Sequence, residues 1–580
     1  MSTTHELSSD PGLDVSKSHL MTLLERIASE VRLSGSAEER RAFEYVQSEL
    51  ESYGIETKLT FDEAFISLPG KATLAIGQQT FPCITHSMSA STVSGGLDAE
   101  LLYVKDTSLL STANVKDKIV LLEGIANPSV VNAAEEAGVG GAIFINGPIT
   151  HEMIVSTVWG SPTPETVQDL PSIPVVSITD KEGHAIKTIL QANAPVDVHL
   201  ETVIDTGWRK IPTLVAEIKG YEDPDKFVLF SGHIDSWHYG AMDNGTANAT
   251  MVEVARVLTK HKARLRRSVR LAFWSGHSHG RYAGSTLYCD KNWEDLHDNC
   301  ALYIYIDSVG GQGATVLAES EYMDETRDFL RSIIESNVDE KFLGKRFVRN
   351  GDQSFWGPGI PSVLMGLSEQ PINDDPSEKT IRDLFAGEKG SGYGWWWHTT
   401  EDTIDKISPE NLERDCRVYL QTVLTASEVP ILPIKPLHAI ENLAEQLHML
   451  ASNVENGLEC GVMLNRVETL RGLGKRFAAL QEADYESVVQ RKRLNDEIMR
   501  LSRILVQLGY VEGNPHDHDP ASSQPAIPLL SPLYELGKAT SGTPTFYQLK
   551  TQARRRLNKV NNLLRQGIVS LNQFFDVFDK

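Results

Sequence analysis

Phe227-Val-Leu-Phe230-Ser-Gly-His233-Ile-Asp235-Ser-Trp-His-Tyr-Gly-Ala-Met-Asp243-Asn244 joins an apolar run to an imidazole and two carboxylates. The run Phe227 to Phe230 reads as a buried parallel strand. Gly245 to Val257, apolar at Val252, Val254, Ala255 and Val257, reads as the helix that follows. Strand, turn and helix in that order predict an open α/β sheet, and ligands of such sheets gather at the carboxyl ends of the strands. A His and two Asp at that place are the raw material of a metal site.

Four further stretches end an apolar run in chemistry-bearing residues: Leu271-Ala-Phe-Trp274-Ser-Gly-His277-Ser278-His279, Leu302-Tyr-Ile-Tyr-Ile-Asp307, Gly351-Asp352-Gln353-Ser354 and Trp395-Trp-Trp-His398-Thr-Thr-Glu401-Asp402. A lone His-x-Asp is weak, but an ordered set at successive strand ends brings its side chains to one rim of a sheet.

Around this core, residues 18 to 53 carry apolar positions at helical spacing and predict two amphipathic helices. Short β-branched runs with Gly and Pro punctuation follow, among them Ala99-Glu-Leu-Leu-Tyr-Val, Lys118-Ile-Val-Leu-Leu, Gly141-Ala-Ile-Phe-Ile and Ile173-Pro-Val-Val-Ser-Ile. They predict a β-rich insertion with one or two helices, Val131 to Ala137 being one. The last 150 residues or so are helical by period, interrupted at Asn514-Pro-His-Asp-His-Asp-Pro. The expected divisions are 1–61 (helices joining the catalytic domain), 62–205 (the insertion), 206–430 (the catalytic α/β domain) and 431–580 (a helical domain).

The chain has 580 residues, 41% hydrophobic and 23% charged, and a formal charge of −23, which describes a soluble multidomain protein and argues against nucleic acid and anionic membranes. No secretory leader and no long apolar window are visible. Five scattered cysteines without a Cys-x-x-Cys fit a reducing compartment, so a cytoplasmic setting is expected.

These motifs, in this order, resemble the co-catalytic zinc peptidase family that contains bacterial aminopeptidases, glutamate carboxypeptidase and the transferrin receptor. The likeness covers roughly residues 18 to 430. Val115-Lys-Asp-Lys-Ile-Val-Leu-Leu-Glu-Gly124 resembles part of that family's protease-associated domain, and the terminal helices resemble a dimerisation domain. The resemblance implies an α/β fold with a mixed, mostly parallel sheet flanked by helices. It also implies one or two divalent ions, zinc foremost with manganese or iron as alternatives, and a homodimer. His233 and Asp307 would bind one metal, Asp243 would bridge, His398 would bind the second metal, and Asp235 would fix the His233 tautomer.

The chain departs from the family at its Glu-Glu pair, a general base followed by a ligand. Here the sequence is His277-Ser278-His279. Counting forward from Asp243 puts His277 at the base position, and counting back from Asp307 puts His279 at the ligand position. An unligated His277 can accept the proton of a metal-activated water; coordination would forbid it. The leading expectation is a metallohydrolase cleaving the amide bond of a small peptide or N-acyl amino acid, with His277 and Asp235 as the catalytic pair. The alternatives are a repurposed amidase or C–N bond-cleaving enzyme on a non-peptide metabolite, and a non-catalytic dimeric scaffold. Trp395, Trp396 and Trp397 are expected in core or interface packing. Arg281 and Arg349 are either a carboxylate clamp or solvated ion pairs, His238 is either a neighbour of the metal ligands or surface, and His516 and His518 bind nothing specific.

Overall fold

The structure is a computed structural model that describes residues 13–578 apart from 194, 318, 350, 386 and 453–457. Its centre is the strand Asp223–His233, in which Phe227, Val228, Leu229 and Phe230 are completely buried. Burying each such side chain contributes about 1.5–3 kcal/mol, which fixes this strand at the middle of the sheet. It pairs in parallel with Arg267–Trp274 on one side and Cys300–Tyr305 on the other, and Cys300–Tyr305 pairs in parallel with Ser362–Leu364. Their carboxyl ends therefore open on the same rim.

Beyond Arg267–Trp274 the sheet turns antiparallel through Asp197–Ile218, a strand of 22 residues. Thr57–Ile76 runs antiparallel beside nearly all of it. This ribbon carries the insertion between its strands. Leu97–Tyr103, Ile119–Glu123, Gly141–Ile145 and Val175–Ile178 pair in parallel, with Ile84–Thr85 antiparallel at the edge. Helices accompany these strands: the one expected at Val131 to Ala137 is Pro128–Glu136, and a second, Asp180–Asn193, follows the last parallel strand. Parallel neighbours need such crossovers.

Two helices, Lys17–Ile27 and Ala37–Ser52, pack on the α/β core. Ser16 and Ser36 cap them by accepting from the backbone N–H groups of His19 and Glu39. The C-terminal helices are Pro436–Ser452, Gly461–Gln481, Val488–Tyr510, Ser531–Lys538 and Pro544–Phe578. Arg503 locks them to the catalytic sheet, donating to the carbonyls of His297 (2.6 Å), Gly359 (3.1 Å) and Cys300 (2.5 Å). All five cysteines are free thiols. Among the described residues no helix is long and apolar enough to cross a membrane.

Candidate metal centre

His233 is the last residue of the central strand and is wholly buried. Its Nδ1 faces the backbone carbonyl of Asp235 at 2.9 Å, which turns Nε2 toward the site. Asp243 sits in the turn that follows. The carboxylate of Asp402 holds this turn, accepting from the backbone N–H of Met242 (2.8 Å) and of Asp243 (2.9 Å). Gly240 is required at the start of the turn. Its φ is +53°, and a Cβ there would stand 2.3 Å from the Asp243 carbonyl and 2.5 Å from the Ser236 side chain. The Asp243–Asn244 peptide is cis. Asn244 ties the turn to the next strand end, accepting from the Ser308 N–H at 3.1 Å and donating to the Ile306 carbonyl at 3.3 Å, and so fixes Asp307 relative to Asp243. His398 enters from a left-handed residue (φ +58°). Its Nδ1 donates to the Glu152 carbonyl at 2.7 Å, and its ring lies on Trp397.

The donor atoms converge. His233 Nε2 lies 3.2 Å from Asp243 Oδ1 and 3.5 Å from Asp307 Oδ2, while His398 Nε2 lies 3.0 Å from Asp243 Oδ2. His277 Nε2 lies 3.9 Å from Asp307 Oδ2, and the His277 ring is stacked parallel on His233 at 3.7 Å. Ligands about 2.0–2.2 Å from a tetrahedral zinc stand roughly 3.3 Å from one another, so these separations match a metal shell. His233 Nε2 and Asp243 Oδ1 are buried and make no hydrogen bond, an arrangement that costs stability unless a cation satisfies both. The residues present fit a divalent ion. His233, His277 and Asp307 form the group whose ligand atoms all lie within 4.8 Å of one another among the described residues.

Electrostatics agree. Burial works against a protonated His233, yet Asp307, Asp235 and Asp243 together hold its pKa well above the usual range; the carboxylates demand positive charge at this point. Burial raises the Asp243 carboxyl, but the His233 and His398 imidazoles beside it outweigh burial and keep the group ionised. Burial, with His233 beside it, depresses His277 to about 3, and burial depresses His279 to about 4, so both rings are neutral and able to use a nitrogen lone pair.

The centre thus unites His233, Asp243, Asp307 and His398, each from a strand end or turn flagged by the sequence. His277 stands with them on the ligand side, where counting from Asp243 had given it the base position. His279 stands apart. Its Nδ1 is 2.9 Å from the Ser34 hydroxyl and its ring packs against Trp237 at 4.6 Å. The Asp235 carboxylate is 3.6 Å from His233 Nδ1 and instead accepts from Ser34 Oγ (2.8 Å) and the Ser278 N–H (2.8 Å); it braces the His277 loop. Sequence reasoning passed over Ser34, Arg32 and Tyr305, and gave Asp402, though in a quoted stretch, no role. Arg32, fully buried, donates to the carbonyls of Ile27, Glu30, Ile234, Tyr239 and Gly240, and so clamps the turn between the ligands. Tyr305 donates to Asp307 Oδ2 at 2.6 Å. Only Asp402, in step with His398, left a sequence signal.

Of the remaining residues, Trp396 and Trp397 are buried in the core, and Arg349 pairs with Asp519 at 2.7 Å. His238 faces Glu152, His518 pairs with Asp290, and His516 packs on Trp293.

A parallel-sheet rim that gathers buried His and Asp donors at metal spacing defines the class: a metallohydrolase. Residues 213–423 match the family model described as Peptidase family M28. The chain is 24% identical to the probable glutamate carboxypeptidase VP8 of Zea mays, over 87% of this chain and 81% of that one. It is 26% identical to carboxypeptidase Q of Mus musculus, over 57% of this chain and 68% of that one. Among solved structures, the aminopeptidase from Aneurinibacillus sp. strain AM-1 superposes with a TM-score of 0.55 at 20% identity, covering 73% of this chain and 96% of that one. An M28 peptidase precursor from Shewanella amazonensis gives 0.56 at 19% identity, covering 74% and 97%. These two likenesses concern the fold.

Proposed function

We propose that this chain is a zinc-dependent hydrolase that cleaves the amide bond of a small peptide or N-acyl amino acid. The observation that carries the reading is the pair of buried, unpartnered atoms His233 Nε2 and Asp243 Oδ1, 3.2 Å apart, with Asp307, His277 and His398 around them. A divalent ion bound there supplies Lewis acidity to a carbonyl and lowers the pKa of a water molecule. The chain's residues do the rest. Asp243 turns one oxygen toward His233 and the other toward His398, so its carboxylate can serve one ion or bridge two. Asp402, Asn244 and Arg32 hold it there. His277 shares the convergence point of His233 and Asp307, which favours coordination over proton transfer.

Access is narrow. The Asp243, His398, His277 and Asp307 side chains are 5%, 12%, 15% and 16% exposed, which suits a small substrate. One observation favours a second reading: among the described residues no glutamate carboxylate pairs with the His233, His277 or His398 imidazoles. An amidase acting on a non-peptide metabolite would need a different proton acceptor from the one a peptidase uses. The helices after residue 430 suit pairing of two copies, so a homodimer is the assembly proposed, and five free thiols support a cytoplasmic setting. Zinc-loaded protein assayed on a dipeptide and aminoacyl-amide panel tests the proposal. Release of free amino acid supports it. Uniform inactivity in metal-replete protein overturns peptide hydrolysis and favours the metabolite amidase.

A further inference from the structure

The insertion sends residues 151–160 across the metal centre, and that segment touches the catalytic domain on both sides. Near one end the backbone of Glu152 pairs with His398: the Glu152 N–H donates to the His398 carbonyl at 2.9 Å, and His398 Nδ1 donates to the Glu152 carbonyl at 2.7 Å. The Arg281 guanidinium donates to the Ile154 carbonyl at 2.7 Å, and at the far end of the segment the Arg281 backbone carbonyl accepts from the Gly160 N–H at 2.7 Å. Trp159 stacks on Tyr282, whose edge meets His277 at 4.2 Å.

Each side carries a charged group with one buried atom that makes no hydrogen bond. Glu152 Oε1 lies 3.6 Å from His238 Nε2, while Glu152 Oε2 is buried and makes no hydrogen bond. Arg281 has a buried Nε without a partner and pairs with no carboxylate among the described residues. A buried charge is costly unless an opposite charge reaches it. No ion pair joins these two. Glu152 and Ile154, the contact of Arg281, are two residues apart on one segment, roughly 7 Å at about 3.3 Å per residue. A dipeptide's termini are separated by at most a similar length. Glu152 is bonded through its backbone to His398, and Arg281 immediately precedes Tyr282, whose ring meets His277.

We propose that Glu152 and Arg281 are specificity residues that read the two ends of a zwitterionic dipeptide, Glu152 taking the free ammonium on the His398 side and Arg281 the free carboxylate on the His277 side. This rests on the hydrolase reading for turnover but not for binding. It also narrows that reading, since an N-acyl amino acid lacks the ammonium.

The test compares Ala-Leu, N-acetyl-Ala-Leu and Ala-Leu-amide by hydrolysis with zinc-loaded protein and by calorimetric binding to metal-stripped protein. The variants are E152Q, E152D, R281Q and R281K, each checked for metal content and circular dichroism. Wild type should favour Ala-Leu at least about tenfold over either blocked peptide, as expected where buried polar groups are left unpaired. E152Q should erase only the discrimination against N-acetylation, and R281Q only that against amidation. E152D and R281K, which keep the charge, should retain part of each. Indifference of wild type to blocking, or an equal loss for all three peptides in each variant, would overturn the proposal. Hydrolysis that persists with such indifference would leave the hydrolase reading standing. Absence of hydrolysis with discriminating binding would do the reverse.

Discussion

Replacing His277 with Ala should weaken zinc binding at least about a hundredfold, whereas replacing His279 with Ala should change it by less than about tenfold. His277 Nε2 belongs to the group whose ligand atoms lie within 4.8 Å, and it stands 3.9 Å from Asp307 Oδ2. His279 spends its Nδ1 on Ser34 and packs on Trp237. Residues that only orient ligands typically cost 10–100-fold in metal affinity, so loss of a true ligand should reach or pass the top of that range, about 2.7 kcal/mol at a hundredfold. The two variants also separate in stability. Truncating His279 leaves the Ser34 hydroxyl and the Asp235 carboxylate short of a neighbour and opens space beside Trp237, for about 2–3 kcal/mol. Competition against a chromophoric chelator gives the affinities, and denaturant unfolding of metal-stripped protein gives the stabilities. Selective loss of metal from His279→Ala, with His277→Ala unaffected, would refute the ligand geometry and restore His277 as the base.

Glu325 provides a pH test remote from the metal. Burial lifts its pKa from 4.5 to about 7, and its Oε1 has no partner. Below pH 4.5 both states hold the proton; between 4.5 and 7 the unfolded chain releases it while the folded chain keeps it, so stability falls as pH rises through that window, by up to about 3 kcal/mol. Urea unfolding of Glu325→Gln at pH 5 and pH 8 should show that loss abolished; an unchanged pH slope would contradict the assignment. Arg32→Met should destabilise the chain by about 3–5 kcal/mol and lower zinc content, because three carbonyls leading into the Asp243 turn (Ile234, Tyr239, Gly240) and two of the N-terminal segment (Ile27, Glu30) lose their donor. Thermal unfolding alongside elemental analysis checks both effects, and a fully stable, metal-replete variant would remove Arg32 from the account. Light scattering should give the mass of two chains; a monomer would remove the role proposed for the terminal helices.

The sheet was legible because its central strands are uninterrupted apolar runs, Phe227 to Phe230 and Leu302 to Ile306, and each ends in a His or an Asp. Residues that act from a strand end need no long-range information to be found. The insertion's second helix was allowed for but not placed, because Asp180–Asn193 opens on charged residues and holds Gly183, which is there to let the helix approach Ile145: a Cβ would meet that side chain at 2.7 Å. The His277-Ser278-His279 element was legible as a departure but not as a geometry. Counting spacings treats the loop as a rigid ruler, whereas Gly276, Arg281 and Tyr282 all have positive φ and coil it, so that His277 joins His233 and Asp307 while His279 faces Ser34 and Trp237. Ser34 and Arg32 left no trace, since nothing local marks a loop between two helices as the brace of a turn some two hundred residues away.

The most direct measurement of the central claim is metal content per chain in dialysed wild-type protein and in Asp243→Ala, each then assayed on Ala-Leu. The account predicts about one or two equivalents of zinc and release of free amino acids in the wild type, with both lost in Asp243→Ala, because the carboxylate shared by His233 and His398 is gone. Wild-type protein without stoichiometric metal, or a variant that keeps both metal and hydrolysis, would contradict it.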